Sequence, residues 1–229
     1  MRLAILVNLA LSIGLPLGLA FLLILKDIKL SKPLFFGVSC FLVFQVFTRI
    51  PLLQLVLTNQ VWYIVFTYKY PLLFIFLLSL SAGIFEEGGR FIIMNKWLRN
   101  GRFNDVLAFG IGHGGIEAIL LVGLGVLLSD VSAVDDFNLV MGGLERVFAM
   151  CMHVAFSFMV HAQVSKHHKH SLILAILAHT AVNFVAVYLM RLGVGILNVE
   201  LVFFVMAVIA IRYVLHERKH LNENQVVRY

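Results

Sequence analysis

The sequence is poor in charge. Asp, Glu, Lys and Arg make up 13% of its 229 residues, about half the share carried by a soluble globular domain, and this excludes an ordinary water-exposed globule. Its two cysteines, Cys40 and Cys151, both fall inside apolar runs, so neither a disulfide framework nor a cysteine-based zinc site is indicated. No internal repeat or low-complexity tract is present, and a repeat array is therefore not indicated. The formal net charge of +6 does not point to nucleic acid, because the basic residues sit in short clusters between apolar runs, as in cytoplasmic membrane loops. No nucleic-acid partner is expected.

What the sequence has in abundance is long hydrophobic runs, with 61% of residues apolar. A spanning helix needs roughly 20 mostly apolar residues, and seven such runs are centred near residues 14, 44, 84, 116, 152, 181 and 204. The expected fold is all-α: a polytopic protein of about seven transmembrane helices, forming one integral membrane domain over residues 1–229 in contact with the lipid bilayer. Leu3 to Leu25 is longer than the roughly 7–15 apolar residues of a signal peptide, so it is expected to be a retained helix. Between the second and third runs, "RIPLLQLVLTNQVWYIVFTYKYP" carries Arg49, Pro51 and Pro71. It is expected to hold a helix end and an interfacial segment whose Trp62, Tyr63, Tyr68 and Tyr70 suit a headgroup belt.

Lys and Arg are enriched on the cytoplasmic side of membrane proteins. Lys26, Lys29, Lys32, Lys96, Arg99, Arg102, Lys166, Lys169, Arg212, Arg218, Lys219 and Arg228 fall on one face, and the other carries Arg2, Arg49, Lys69, Arg191 and the acidic loop of Asp130, Asp135 and Asp136. The N-terminus is therefore expected outside and the C-terminus in the cytoplasm, with the chain in a prokaryotic plasma membrane.

Ionisable residues inside a bilayer are costly and count by default as functional candidates. Spans 3 to 6, about residues 70–191, carry them: Glu86, Glu87 and Arg90; His113 and Glu117; His153; His179 with Asn183. At about 1.5 Å per residue, Glu86, His113, His153 and His179 lie roughly 13–20 Å from the cytoplasmic ends of their helices. They occupy one layer near mid-membrane. The pairs Glu86/Arg90, His113/Glu117 and His179/Asn183 are each spaced i, i+4, so each pair shares a helix face. Polar contacts between membrane helices are worth about 0.6–2 kcal/mol each, and packing alone would need far fewer ionisable groups. Peptide hydrolysis does need such a set: a base for water, donors for the oxyanion and an acid for the leaving amine.

Glu86-Glu87 followed by Arg90, then Phe109 with His113 four residues on, then His179 with Asn183 four residues on, resembles the three motifs of the CAAX-protease and bacteriocin-processing superfamily of intramembrane proteases. His153 and the "GHGGIEA" context resemble its YhfC branch. The resemblance implies a glutamic-type peptidase with a four-helix catalytic core, no required cofactor, and a peptide or membrane protein as substrate. Glu86 or Glu87 would be the base, His113 would help activate water, and His179 with Asn183 would support the oxyanion; Arg90, Phe109, Glu117 and His153 would support them. The superfamily pattern has three residues between the glutamate pair and the arginine. Here Gly88 and Gly89 alone stand between them, so the roles of Glu86 and Glu87 are open to exchange.

Other readings stand beside this one. A zinc-dependent peptidase would draw its ligands from Glu86, His113, His153 and His179, although no His-Glu-x-x-His signature is present. A non-catalytic scaffold subunit would keep intramembrane histidines and act by packing, and a proton-coupled transporter also uses intramembrane Glu and His. Gly110, Gly112 and Gly115 lack the strand context of a dinucleotide fingerprint and are expected to allow close helix approach. Glu145 and Arg146 are expected at the outer interface, and Glu200 is unassigned.

Overall fold

The computed structural model describes residues 2–165, 168 and 170–226, with side chains up to Lys219. Lys166, Lys169 and Arg228, counted above on the cytoplasmic face, lie outside the described residues. In lipid every backbone N–H and C=O must be satisfied within the span, so long apolar runs become helices. Seven helices of the described residues are long and apolar enough to cross a membrane: α1 (Leu3–Lys26), α2 (Ile28–Asn59), α4 (Pro71–Trp97), α5 (Phe103–Leu128), α6 (Asp136–Val164), α7 (Ser171–Arg191) and Ile196–Lys219 within α8 (Ile196–Val226). The short helix α3 (Val61–Lys69) joins α2 to α4. The protein is an all-helical integral membrane protein.

Local chemistry sets the helix ends. The Asp27 carboxylate accepts from the Lys29 N–H at 3.0 Å between α1 and α2, and Pro71 opens α4 at a position where its missing N–H costs nothing. At the end of α7, Gly193 adopts φ +70°. The Val194 N–H reaches Leu189 O at 3.1 Å and the Gly193 N–H reaches Met190 O at 3.0 Å, a Schellman closure that favours glycine.

One expectation is corrected. Arg49 and Pro51 do not end a helix at the outer face: α2 continues to Asn59, and Arg49 is buried. The turns on both sides of Pro51, Leu42–Arg49 and Leu52–Val56, are π-helical. Local widening of this kind lets a membrane helix carry a proline. Trp62 and Tyr68 of α3 are exposed, in keeping with an interfacial aromatic segment.

The helices form two compact units. The first comprises the chain up to Val38, Asn100–Phe158, and the part from Gly195 on; the second comprises Ser39–Arg99 and Met159–Val194. In the first unit, Arg2 donates Nε to Asp136 at 2.6 Å and Nη2 to Val134 O at 2.6 Å, fastening α1 to the loop before α6. The Ser132 N–H donated to Asp130 holds that carboxyl below the usual range. Asn8 Nδ2 donates to Leu139 O at 2.7 Å. The glycine face of α5 allows backbone-to-backbone packing: a Cβ on Gly112 would overlap Leu34 O, and one on Gly110 would stand 2.7 Å from Val154 Cα. Small residues serve this purpose between membrane helices. The core of the second unit is α4 against α7, where Phe76 and Phe184 meet edge to face at 6.2 Å.

Candidate functional site

In the first unit, α5 supplies His113 and Glu117 one turn apart, and α6 supplies His153. Their ligand-type atoms lie within 4.8 Å of one another. Glu117 Oε2 is 2.7 Å from His153 Nε2, and the rings of His113 and His153 are 5.3 Å apart between centroids. Both histidines are buried. Gly114 makes this approach possible, because a Cβ there would stand 3.0 Å from His153 Cβ. The second carboxylate oxygen, Glu117 Oε1, accepts from Arg146 Nη1 at 3.1 Å. Arg146 is bound on its other edge by Glu145, with Nε at 2.8 Å from Oε2 and Nη2 on Oε1. Two imidazoles and one carboxylate are the donor set of a His₂Glu catalytic zinc site. These residues therefore fit a divalent metal by chemistry and by spacing.

In the second unit, Glu86, Glu87, Arg90 and His179 are brought together and buried. Glu87 Oε1 accepts from Arg90 Nη1 and lies 2.7 Å from His179 Nδ1. A carboxylate paired with an arginine only accepts, so His179 presents its Nδ1–H to Glu87. Glu86 is held differently. Its Oε1 accepts from the Gln45 amide at 2.7 Å, while Arg90 Nη2 and His179 Nε2 stand 4.0 and 3.9 Å away. Gln45 Oε1 accepts from Arg49 Nη1 at 3.1 Å, and Arg49 also donates to Ser81 Oγ at 2.9 Å and Leu78 O at 2.9 Å. Since arginine has no acceptor, it fixes the Gln45 oxygen toward itself and turns the amide NH₂ to Glu86.

The i, i+4 rule anticipated Glu86 with Arg90, yet the direct ion pair is the i, i+3 one from Glu87. Asn183 is half-buried, and among the described residues no hydrogen bond joins it to the network. Phe109 is core of the first unit, its carbonyl against Gly37. Three residues escaped the sequence reading. Gln45 and Arg49 were hidden by the apparent helix end, although their i, i+4 spacing carried a signal. Arg146 was placed at the outer interface by backbone counting, but its long side chain carries charge along an apolar stem to Glu117.

Comparison with known proteins gives the site its context. The chain is 28% identical over 175 residues to an uncharacterized membrane protein, YhfC, of Bacillus subtilis (strain 168), covering 61% of this chain and 67% of that protein. No solved structure matches. The sequence model of a family described as YhfC intramembrane metalloprotease matches residues 11–136 and 127–210, a stretch that includes every candidate residue named above. The chain belongs to the YhfC intramembrane metalloprotease family.

Proposed function

We propose that this chain is an intramembrane endopeptidase that cleaves a peptide or membrane protein with a divalent metal held by His113, Glu117 and His153. The observation that carries this reading is the clustering of those three donors within 4.8 Å, and the family's description agrees with it. A zinc ion held by such a set supplies a Lewis acid for the scissile carbonyl and an acidified water.

The remaining roles fall to side chains. Glu86 is the proposed base, taking the proton from the attacking water on a carboxylate oxygen and returning it to the leaving amine. Glu87 suits this less, because Arg90 and His179 bond its Oε1 directly, whereas they stand 4.0 and 3.9 Å from Glu86. His179 bonds Glu87 through Nδ1, and the resemblance to the CAAX-protease superfamily assigns it, with Asn183, to the oxyanion, a role that requires the imidazolium form with Nε2–H as donor. The distribution of Lys and Arg places the N-terminus outside and the C-terminus in the cytoplasm in this reading.

A metal-free, glutamic-type version of the same hydrolysis is the second reading. It is favoured by the buried Glu86, oriented by an amide that is itself fixed by Arg49. One experiment separates the two. Detergent-purified protein is analysed for bound metal, and cleavage of a panel of transmembrane model peptides is followed by mass spectrometry before and after chelation. The metal reading expects about one zinc-class ion per chain and loss of cleavage on chelation, restored by added zinc. Undiminished cleavage by chelated, metal-free protein would discard it in favour of glutamic chemistry. Equal cleavage by wild type and by Glu86→Gln and His113→Ala would remove both.

A further inference from the structure

Resting on the metal reading above, we propose that Arg146 is a positioning residue for the metal site: it engages one oxygen of Glu117 so that the other is presented beside His153. The geometry is specific. Nη1 of Arg146 occupies Glu117 Oε1 at 3.1 Å, and Glu117 Oε2 faces His153 Nε2 at 2.7 Å. A free carboxylate offers either oxygen, or both, to a cation; one with a guanidinium on Oε1 offers Oε2.

Glu145 completes the device. It binds the Nε and Nη2 edge of the same guanidinium, a two-point contact that fixes the plane of the group as well as its position. Arg146 has little freedom left: Glu145 precedes it in α6, Glu117 faces it from α5, and its side chain is 12% exposed. Glu145 also offsets the positive charge of Arg146. Without that compensation a guanidinium beside Glu117 would oppose a dication at the same carboxylate. The three residues thus form a carboxylate–guanidinium–carboxylate relay that ends on a candidate ligand. Partners of this kind orient metal ligands, and losing one typically costs about 10- to 100-fold in metal affinity.

The test reads metal binding directly and needs no substrate. Chelated protein in detergent is titrated with Co²⁺, whose visible absorption reports coordination geometry, and with Zn²⁺ in competition with a chromophoric chelator. Wild type is compared with Arg146→Met, Arg146→Lys and Glu145→Gln, and gel filtration with apo-state melting checks each fold. The expected result is a Zn²⁺ affinity about 10- to 100-fold weaker for Arg146→Met, with an altered Co²⁺ spectrum. Arg146→Lys, which keeps the charge but not the two-sided contact, is expected to fall between. A folded Arg146→Met variant with wild-type affinity and spectrum overturns the proposal and leaves the metal reading standing. Should that variant fail to fold, Glu145→Gln decides: a shifted spectrum supports the relay and an unchanged one overturns it. Wild-type protein that binds neither ion ends both the metal reading and this role.

Discussion

The two compact units bury polar groups in contrasting ways. In the second unit, charge is answered by charge: Glu87 meets Arg90 and His179, and Arg49 is spread over Gln45, Ser81 and the Leu78 carbonyl. In the first, two imidazoles and a carboxylate converge, and Arg146 is shared between Glu117 and Glu145. The difference teaches that a buried ionisable group is not one kind of evidence. An acid held by an arginine and a histidine ties helices together, whereas imidazoles gathered around a carboxylate make a donor set for a metal.

This contrast can be broken by substitution. The largest effect is expected from His153→Ala, which should abolish stoichiometric metal in elemental analysis and peptide cleavage with it, while the apo protein stays folded with a loss of about 1–3 kcal/mol. Glu86→Gln is expected to lower cleavage by about 10²–10⁴-fold in the same mass-spectrometric assay, with bound metal also measured. Next comes Arg90→Met, which strands Glu87 in the second unit. Removing one partner of a buried pair costs about 3–5 kcal/mol, read here as a shift in unfolding by SDS titration. Were Arg90→Met to leave unfolding untouched while His153→Ala unfolded the protein, the assignment of the two units would be reversed.

Smaller effects sharpen the picture within the second unit. Gln45→Met removes a donor from a buried carboxylate, and the loss should be about 1–3 kcal/mol in the same titration. The adjacent glycines give a matched pair. A Cβ on Gly89 would meet the Phe44 ring within 2.5–3.1 Å, while one on Gly88 meets nothing within 4 Å. Gly89→Ala is therefore expected to cost about 1–3 kcal/mol through overpacking, and Gly88→Ala to be neutral or to gain up to about 1 kcal/mol from helix propensity. Equal effects would show that the Phe44 contact does not set the spacing between the glutamate pair and Arg90.

Most of the fold was legible because the bilayer leaves a chain few options. Seven apolar runs correspond to seven membrane-length helices among the described residues, and Gly110 and Gly112 beside His113 are sites of close backbone approach. Of the candidate residues read from the sequence, Glu86, Glu87, Arg90 and His179 come together in the second unit and His113, Glu117 and His153 in the first, while Asn183 and Phe109 join neither cluster. His113 and His153 share a layer by residue counting, as do Glu86 and His179, because helix rise is constant. Counting from the backbone cannot tell where a long side chain ends, and so Arg146 was set at the interface although its guanidinium reaches Glu117. Nor can a linear reading see a widened turn, and for that reason Arg49 beside Pro51 looked like the end of α2. The possible zinc ligands read from the sequence were Glu86, His113, His153 and His179; His179 bonds Glu87 in the second unit, and Glu117 lies with His113 and His153 in the first.

The widened stretch of α2 has a mechanical consequence. An α-helix advances about 100° per residue, so a one-residue deletion swings everything beyond it to a different side. A π-helical stretch already holds more residues per turn, and Leu42–Arg49 is in effect slack wound into the helix. Taking one residue out of that slack re-aims Gln45 and Arg49 without shortening the membrane crossing by more than about 1.5 Å. The grip on Glu86 is thus set by winding as well as by side-chain identity, and indels in this segment are a separate dial from point substitutions at its two polar residues.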